Sequence, residues 1–369
     1  MNPLFQRLMQ HATRLTGKGD LRGATAAIKA ALSGAPPSPS IHPDAPAAND
    51  PQVIDVAARE VPPSPAPSPQ VAPETKPVPP QSPPQPAGQG EFIAGHYTGS
   101  AGARDFKLYI PPAAGERALP LVVMLHGCTQ DPDDFAAGTG MNDAASGHGF
   151  FVLYPAQSRQ ANPQRCWNWF KHNHQARGRG EPELLAGMTR DIMARYAIDP
   201  QRVYVAGLSA GGAMAAILGD AYPDLFAAVG VHSGLATGIA KDLPSALGAM
   251  KSGGSRPGGG AASGVPTIVF HGDADATVHP GNGEHVISAS AGAAEGEVEK
   301  GYSRAGRNYT RRVHRNGSGE ILAEHWLVHG AQHAWSGGTA QGSYTDPRGP
   351  DATAEMVRFF LAHPRRAPR

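Results

Sequence analysis

The residues best suited to chemistry lie around a serine between two glycines. The segment GLSAG, residues 207–211, fits the G-x-S-x-G pattern, in which a serine occupies a sharp turn between a strand and a helix. Residues 203–205 are typical of a buried strand, and the alanine-rich run 213–218 is typical of a helix. Chance often supplies a five-residue pattern, but this context predicts that Ser209 is a nucleophile.

A serine nucleophile needs a histidine base and an acid that orients the base, and in this type of turn both follow the serine in the chain. Asp273 and Asp275 follow an apolar strand, and Asp275 is expected to be the orienting acid because it lies further into the loop. Asp273 is expected to accept hydrogen bonds from local turn amides. His333, in a loop of small residues after a later strand, is the expected base, and His279 is its main rival.

An acyl-transfer site also needs backbone N–H donors for the oxyanion of the tetrahedral intermediate. The first expected donor is the amide of Ala210, directly after the nucleophile. The second is expected in the loop that follows an early strand, from the amide of Cys128 or, as the alternative, Thr129. An ordinary strand-to-helix turn would leave the same sequence signature.

Aromatic residues cluster near these loops. Trp167 and Trp169 lie in the segment CWNWF, and Trp335 follows the expected base. We expect these three rings to form a wall that contacts substrate, with core packing as the alternative. His172 and His174 have the spacing of a metal-binding pair, but no nearby cysteine or carboxylate completes a set, so no metal is expected.

The chain has only two cysteines, Cys128 and Cys166, which are too few for a disulfide-rich scaffold or a cysteine-based zinc site. They either form a disulfide that joins the aromatic segment to the oxyanion loop or remain free thiols in a reducing compartment. The sequence leaves both states open.

The bulk properties divide the chain into three segments. Residues 1–33 are predicted to form amphipathic helices, residues 34–90 a disordered linker rich in Pro, Ala and Ser, and residues 91–369 the catalytic domain. The formal net charge of +1 gives no field that would favour nucleic acid. No readable signal peptide is found, which favours the cytoplasm.

Seven strand-like segments alternate with helical ones after residue 91, and several of the strands are apolar throughout. The predicted strands are 106–112, 120–127, 149–157, 203–207, 227–234, 265–275 and 325–330, and the predicted helices lie around 133–146, 182–196, 210–221 and 351–362. This pattern predicts an α/β fold in which helices cover both faces of a mostly parallel sheet. Such sheets bind ligands at the carboxyl ends of their strands, where all the residues singled out above are expected.

Five segments together resemble the esterase/polyhydroxybutyrate depolymerase family of α/β-hydrolases: LHGCTQDPDDFAAGTGMN, CWNWF, RVYVAGLSAGGAMA, FHGDADATVHPGNG and GAQHAWSGG. The resemblance covers roughly residues 92–363. It implies an α/β-hydrolase fold, no cofactor, and hydrolysis of carboxylic esters by Ser209, Asp275 and His333. Many members are secreted, which makes an extracellular location the alternative to the cytoplasm.

The sequence therefore predicts a serine esterase whose substrate is a short-chain polyhydroxyalkanoate, in the form of 3-hydroxybutyrate oligomers or polymer. The alternatives are a feruloyl or acetyl esterase acting on plant polysaccharides, a peptide hydrolase with the same triad, and a non-catalytic binding protein. The N-terminal helices are expected to pack on the main domain or on a second subunit, with contact between residues 1–16 and a polymer granule or surface as the alternative. Nucleic acid is not expected as a partner.

Overall fold

A computed structural model describes residues 90–254, 264–292 and 296–365 of the chain. The predicted N-terminal helices (1–33) and all but the last residue of the predicted linker (34–90) lie outside the described residues.

The described chain is built on a ten-stranded sheet in the order β1-β2-β4-β3-β5-β6-β7-β10-β9-β8. The six strands from β4 to β10 in this order are mutually parallel, and antiparallel strands extend the sheet at both edges. The strands are β1 Glu91–Gly99, β2 Gly102–Ile110, β3 Leu119–Leu125, β4 Phe151–Pro155, β5 Ile198–Leu208, β6 Ala228–His232, β7 Thr267–Gly272, β8 Gly296–Tyr302, β9 Asn308–Arg315 and β10 Ile321–Val328. A separate two-stranded ribbon pairs β11 Trp335–Ser336 with β12 Thr345–Asp346.

Seven helices flank the sheet in the described ranges. They are α1 Pro132–Thr139, α2 Met141–His148, α3 Gly180–Arg195, α4 Ala210–Ala221, α5 Leu243–Ser252, α6 Gly281–Ala291 and α7 Ala352–Ala362, with a 3-10 turn at His172–His174. None of the helices in these ranges is long and apolar enough to cross a membrane.

The core lies on both faces of the sheet, as an apolar parallel sheet requires. In β3, Leu121, Val123 and Leu125 pack into one hydrophobic cluster, while Val122 and Met124 pack into the cluster on the other face. Because side chains alternate along a strand, a strand that is covered on both faces must be apolar at successive positions. This confirms the predicted mostly parallel sheet covered by helices on both faces.

The edges of the sheet differ from the sequence prediction, which contained neither β1, β8 nor β9. In β8, charged and polar residues dominate and nearly every side chain is exposed, so the strand has no apolar signature.

The single helical stretch expected around residues 133–146 is divided into two helices, α1 and α2. Gly140 ends α1 with a φ of 64°, a left-handed conformation that breaks the helical path.

A buried carboxylate ties β10 to β9 and α7. Glu324 is fully buried and accepts hydrogen bonds from Arg311 at 3.0 and 3.1 Å and from Arg358 at 2.7 Å. Burial alone would raise the pKa of Glu324, but the two arginines outweigh it and lower that pKa. The group therefore stays charged, and its loss would leave two guanidinium groups without their main partner.

We predict that Glu324→Gln lowers the free energy of unfolding by about 3–5 kcal/mol, because removing one partner of a buried ion pair leaves uncompensated charge. Urea denaturation at pH 7 measures the loss. Glu299→Gln is the matched control: Glu299 also pairs with Arg311, at 3.1 Å, but its side chain is 59% exposed. Its loss should cost less than about 1 kcal/mol. Equal effects of the two substitutions would contradict the assignment.

Candidate active site

The GLSAG turn joins β5 to α4. Ser209 has φ 58° and ψ −119°, a strained conformation for a residue with a side chain. A Cβ added at Gly207 or Gly211 would clash with backbone atoms, among them the carbonyl oxygen of Leu125 in β3. The amide of Ser209 donates a hydrogen bond to the carbonyl of His232 at 2.8 Å, which fixes the turn against β6. The sequence pattern therefore has its expected structural context.

Asp275 and His333 meet at the carboxyl ends of two paired strands. Asp275 follows β7 and His333 follows β10, and these strands run parallel side by side. Oδ2 of Asp275 lies 2.7 Å from Nδ1 of His333. Oδ1 accepts hydrogen bonds from the amides of Thr277 and Val278 at 2.9 and 2.8 Å. A proton held on Nδ1 by this carboxylate leaves Nε2 of His333 free to accept a proton.

The environment keeps Asp275 ionised. Burial by itself would raise the pKa of this carboxyl, but the imidazole of His271, 3.5 Å away, the hydrogen-bonded His333 and the amide of Val278 outweigh it, and the pKa falls well below its usual range. Asp275 thus presents a permanent negative charge to His333, which favours the imidazolium form that appears when a base has taken a proton.

Ser209 and His333 line one cleft of about 640 Å³. Its other lining residues come from the loop after β3 (residues 126–130, the oxyanion loop), from the end of β5, from α5, from the loops after β7 and β10, and from the residue before β12. They are Gly127, Cys128, Gln130, Leu208, Met250, Ala274, Ala276, Thr277, Gln332, Ala334 and Tyr344. The rival base His279 is not among them, and its Nδ1 accepts a hydrogen bond from the amide of Gly281 at 3.1 Å.

Asp273 forms a second Asp–His pair beside the first. Its Oδ2 lies 2.7 Å from Nδ1 of His329, and its Oδ1 accepts from the amide of Gly330 at 2.6 Å. The expectation that Asp273 binds amides of its own turn is wrong: its partners lie on the neighbouring loop after β10. The pair joins the loop of Asp275 to the loop of His333.

The oxyanion loop leaves one amide available. The amide of Thr129 donates to the carbonyl of Gln164 at 2.7 Å, and the amide of Gly127 donates to Oε1 of Gln130 at 2.9 Å. In the described chain, the amide of Cys128 has no such partner, and Cys128 lines the cleft. Ala210, the first residue of α4, has a first-turn amide without an intrahelical acceptor. The geometry favours Cys128 over Thr129 as the second donor.

The sequence of the chain matches a known protein family. A family model described as "Esterase PHB depolymerase" matches residues 104–311, more than half of the chain. The chain belongs to this family. The matched range includes Ser209 and Asp275 and ends before His333.

Two curated relatives and one solved structure illustrate the relationship. Poly(3-hydroxyalkanoate) depolymerase C of Paucimonas lemoignei is 32% identical over 226 residues, which are 58% of this chain and 54% of that protein. Feruloyl esterase B of Thermothelomyces thermophilus is 31% identical over 140 residues, 38% of this chain and 47% of that protein. The chain thus spans about half the length of these family relatives.

The fold itself is that of α/β-hydrolases. The solved structure of an acetyl xylan esterase from Aspergillus awamori superposes with a TM-score of 0.57 at 18% identity, covering 73% of this chain and 99% of that one. This likeness, together with the mostly parallel sheet, confirms the predicted fold class.

The expected aromatic wall is corrected by the structure. Trp167 and Trp335 are fully buried, Trp169 is 5% exposed, and none of them lines the cleft. The indole N–H of Trp167 donates to the carbonyl of His126 at 3.1 Å, and that of Trp335 donates to Oγ1 of Thr353 at 3.0 Å. Their rings therefore support the loops of the site from within the core, which is the alternative that the sequence left open.

A disulfide joins Cys128 to Cys166, which settles the question that the sequence left open. It attaches the oxyanion loop to the segment that carries the buried tryptophans. That segment is held in turn by Glu181, a buried carboxylate of α3 that accepts from the amide and the side chain of Asn168, both at 2.7 Å. His174 faces the same carboxylate at 3.6 Å. Sequence reasoning missed Glu181 because nothing in its local pattern marks burial.

His232 is a second residue that sequence reasoning missed. Its ring stacks on Trp335 with centroids 5.1 Å apart, and its Nε2 accepts a hydrogen bond from the amide of Ser336 at 2.9 Å. Its carbonyl also accepts from the amide of Ser209. One residue at the end of β6 therefore contacts both the turn of Ser209 and β11, the strand that directly follows the loop of His333. Its only sequence signal is its position at the carboxyl end of a buried strand.

Three buried histidines make the fold sensitive to acid. Desolvation by burial lowers the pKa of His126 to about 4 and the pKa values of His232 and His325 to about 3. In the unfolded chain a histidine titrates near pH 6.5. Between that pH and about pH 4, these three histidines therefore bind more protons in the unfolded chain than in the folded one. Stability is therefore lost as the pH falls through this window and is retained above it.

We predict that the free energy of unfolding decreases between pH 6 and pH 4 by up to about 4 kcal/mol per pH unit, the slope for three protons. Urea denaturation across this range measures it. His325→Gln should reduce the slope by about one third, because it removes one of the three groups. The exposed His172 serves as control, and His172→Gln should leave the slope unchanged. A flat profile for the unmodified chain would contradict the prediction.

Proposed function

We propose that the protein is a serine esterase that hydrolyses carboxylic esters through a covalent acyl-enzyme. The observation that carries this proposal is the 2.7 Å Asp275–His333 hydrogen bond at the cleft that the strained Ser209 also lines. Strain, a shared cleft and an ionised orienting carboxylate together are the features expected of a nucleophile with its base.

In the proposed reaction, Oγ of Ser209 attacks the ester carbonyl while Nε2 of His333 accepts the hydroxyl proton. Asp275 holds the imidazole in place and stabilises the imidazolium. The amides of Cys128 and Ala210 donate hydrogen bonds to the oxyanion. The alcohol leaves with the proton from His333, and water then hydrolyses the acyl-enzyme through the same steps.

For the substrate, we propose short-chain polyhydroxyalkanoate esters, namely 3-hydroxybutyrate oligomers or polymer. The depolymerase relative supports this class, since its similarity extends over more of the chain than that of the feruloyl esterase. The cleft lining supports a neutral ester: its described residues include no Asp, Glu, Lys or Arg. Feruloyl or acetyl esters of plant polysaccharides are the second candidate, favoured by the feruloyl esterase relative.

The proposed catalytic domain is residues 91–369, and residues 1–16 are a proposed contact with a polymer granule or surface. Deleting residues 1–90 should therefore leave hydrolysis of soluble esters intact. A binding protein without catalytic activity would hydrolyse no ester in either form.

We predict that the full chain hydrolyses p-nitrophenyl esters of short acids and that Ser209→Ala reduces kcat to the background rate without unfolding the protein. Asp275→Asn should lower kcat by about 10³–10⁴, because the imidazole loses its orienting charge. Asp273→Asn, at the neighbouring Asp–His pair, should cost less than about tenfold. Retained activity in Ser209→Ala, or a larger loss at Asp273 than at Asp275, would contradict the assignment.

The substrate class is tested on the same preparations. Methyl esters of 3-hydroxybutyrate oligomers, methyl ferulate and an amide panel are compared by kcat/KM. Preference for the oligomers supports the proposed class, whereas preference for ferulate selects the second candidate. Preference for amides would replace the esterase with a peptide hydrolase.

A further inference from the structure

Among the described residues that line the cleft, Tyr344 carries the one Phe, Tyr or Trp ring. Tyr344 is 45% exposed, although Trp335 of the adjacent strand β11 is buried. The cleft of about 640 Å³ is the size that holds a ligand larger than a simple short-chain ester. An exposed ring at its edge is therefore positioned to contact the part of a substrate beyond the reacting ester.

The scaffold holds Tyr344 in place from both sides. Its φ is 53°, a conformation that costs a non-glycine residue on the order of 1–3 kcal/mol. Before it, the amide and hydroxyl of Ser343 donate to the carboxylate of Asp134 at 2.8 and 2.6 Å. Its own carbonyl accepts from the amide of Trp335 at 2.7 Å. Hydrogen bonds of the neighbouring backbone, not burial of the ring, thus maintain the strained conformation.

The same carboxylate also fixes the oxyanion loop. Asp134 accepts from Nε2 of Gln130 at 2.8 Å, and Oε1 of Gln130 accepts from the amide of Gly127. The ring of Tyr344 and the loop of the proposed oxyanion donor are therefore positioned by one group.

A side-chain contact completes the link. The hydroxyl of Tyr344 lies 3.2 Å from Oγ1 of Thr129, a second strained residue with φ 68°. Oγ1 of Thr129 donates its proton to the carbonyl of Cys128 at 2.6 Å, so it accepts from the phenol. Two strained residues thus meet directly beside the proposed oxyanion donor, and their strain is a feature typical of ligand clamps.

We propose that Tyr344 determines chain-length specificity: its ring packs against the repeat unit next to the ester being cleaved, and so favours oligoesters over single esters. This inference rests on the proposed function. An oligoester suits this cleft, because a neutral oligoester alternates apolar carbons with carbonyl acceptors, and the lining combines apolar side chains with uncharged polar ones and includes no Asp, Glu, Lys or Arg.

The test compares kcat/KM for the methyl esters of the 3-hydroxybutyrate monomer and trimer. Tyr344→Asn removes the ring and keeps a residue that tolerates positive φ; Tyr344→Gly is a second such variant, and Tyr344→Phe retains the ring. Tyr302→Ala is the control, because Tyr302 of β8 is also an exposed tyrosine, at 66%, but does not line the cleft. Thermal unfolding confirms that each variant is folded.

In the full chain, the trimer should be preferred over the monomer. Tyr344→Asn and Tyr344→Gly should lower the trimer-to-monomer ratio by about tenfold or more, mainly through KM, since an apolar contact of this size discriminates to that extent. Tyr344→Phe should keep the ratio within about threefold, and Tyr302→Ala should leave it unchanged.

Three results would overturn the inference. They are an unchanged ratio in the variants without the ring, an equal loss on both esters, and the absence of a trimer preference in the full chain. In each of these cases, hydrolysis of the monomer would still support the proposed esterase function. Failure to hydrolyse any ester would instead refute the proposed function itself.

Discussion

The close packing of the β5–α4 turn against β3 is the constraint on which the rest of the site depends. Gly207 and Gly211 have no room for a side chain, because the carbonyl oxygen of Leu125 lies against them. The chain can make this turn only if Ser209 takes a positive φ, which aims its side chain away from the sheet and into the cleft. The same contact places the end of β3, and with it the oxyanion loop, next to the proposed nucleophile.

Polar pairs then place the other groups relative to that turn. Asp275 holds His333, the exposed Asp273 holds the exposed His329, and His232 accepts hydrogen bonds from the Ser209 amide and from the Ser336 amide that follows His333. The buried groups among these, Asp275 and His232, are stable in the core only when their hydrogen bonds are satisfied. This arrangement is sensitive to acid, because the buried imidazole of His232 must stay neutral for its Nε2 to accept the hydrogen bond from the Ser336 amide.

How far the sequence predicts this structure depends on whether a feature is local. The central strands and the GLSAG turn have local signatures, and so do Asp275 and His333, which follow apolar strands. The structure confirms the strands and brings the Asp and the His together. The edge strand β8 could not be predicted, since its side chains are mostly exposed and carry no apolar period.

Features that depend on tertiary contacts escaped prediction. The position of Trp167 and Trp335 near the site loops suggested that they contact substrate. Both instead donate to buried hydrogen-bond acceptors and belong to the core. The exposed ring is that of Tyr344, and its exposure follows from the anchoring of Ser343 by the distant Asp134. The partner of Asp273 likewise depends on the pairing of β7 with β10, which the local turn pattern does not specify.

Covalent labelling tests the central claim most directly. The full chain is incubated with a fluorophosphonate, which phosphonylates serine only when a neighbouring base activates it. Intact mass and peptide mapping then locate the adduct, with Ser209→Ala as the control. The account predicts a single adduct on Ser209 and none in the variant. An unlabelled Ser209 in the folded chain, or an adduct on another residue that persists in the variant, would contradict it.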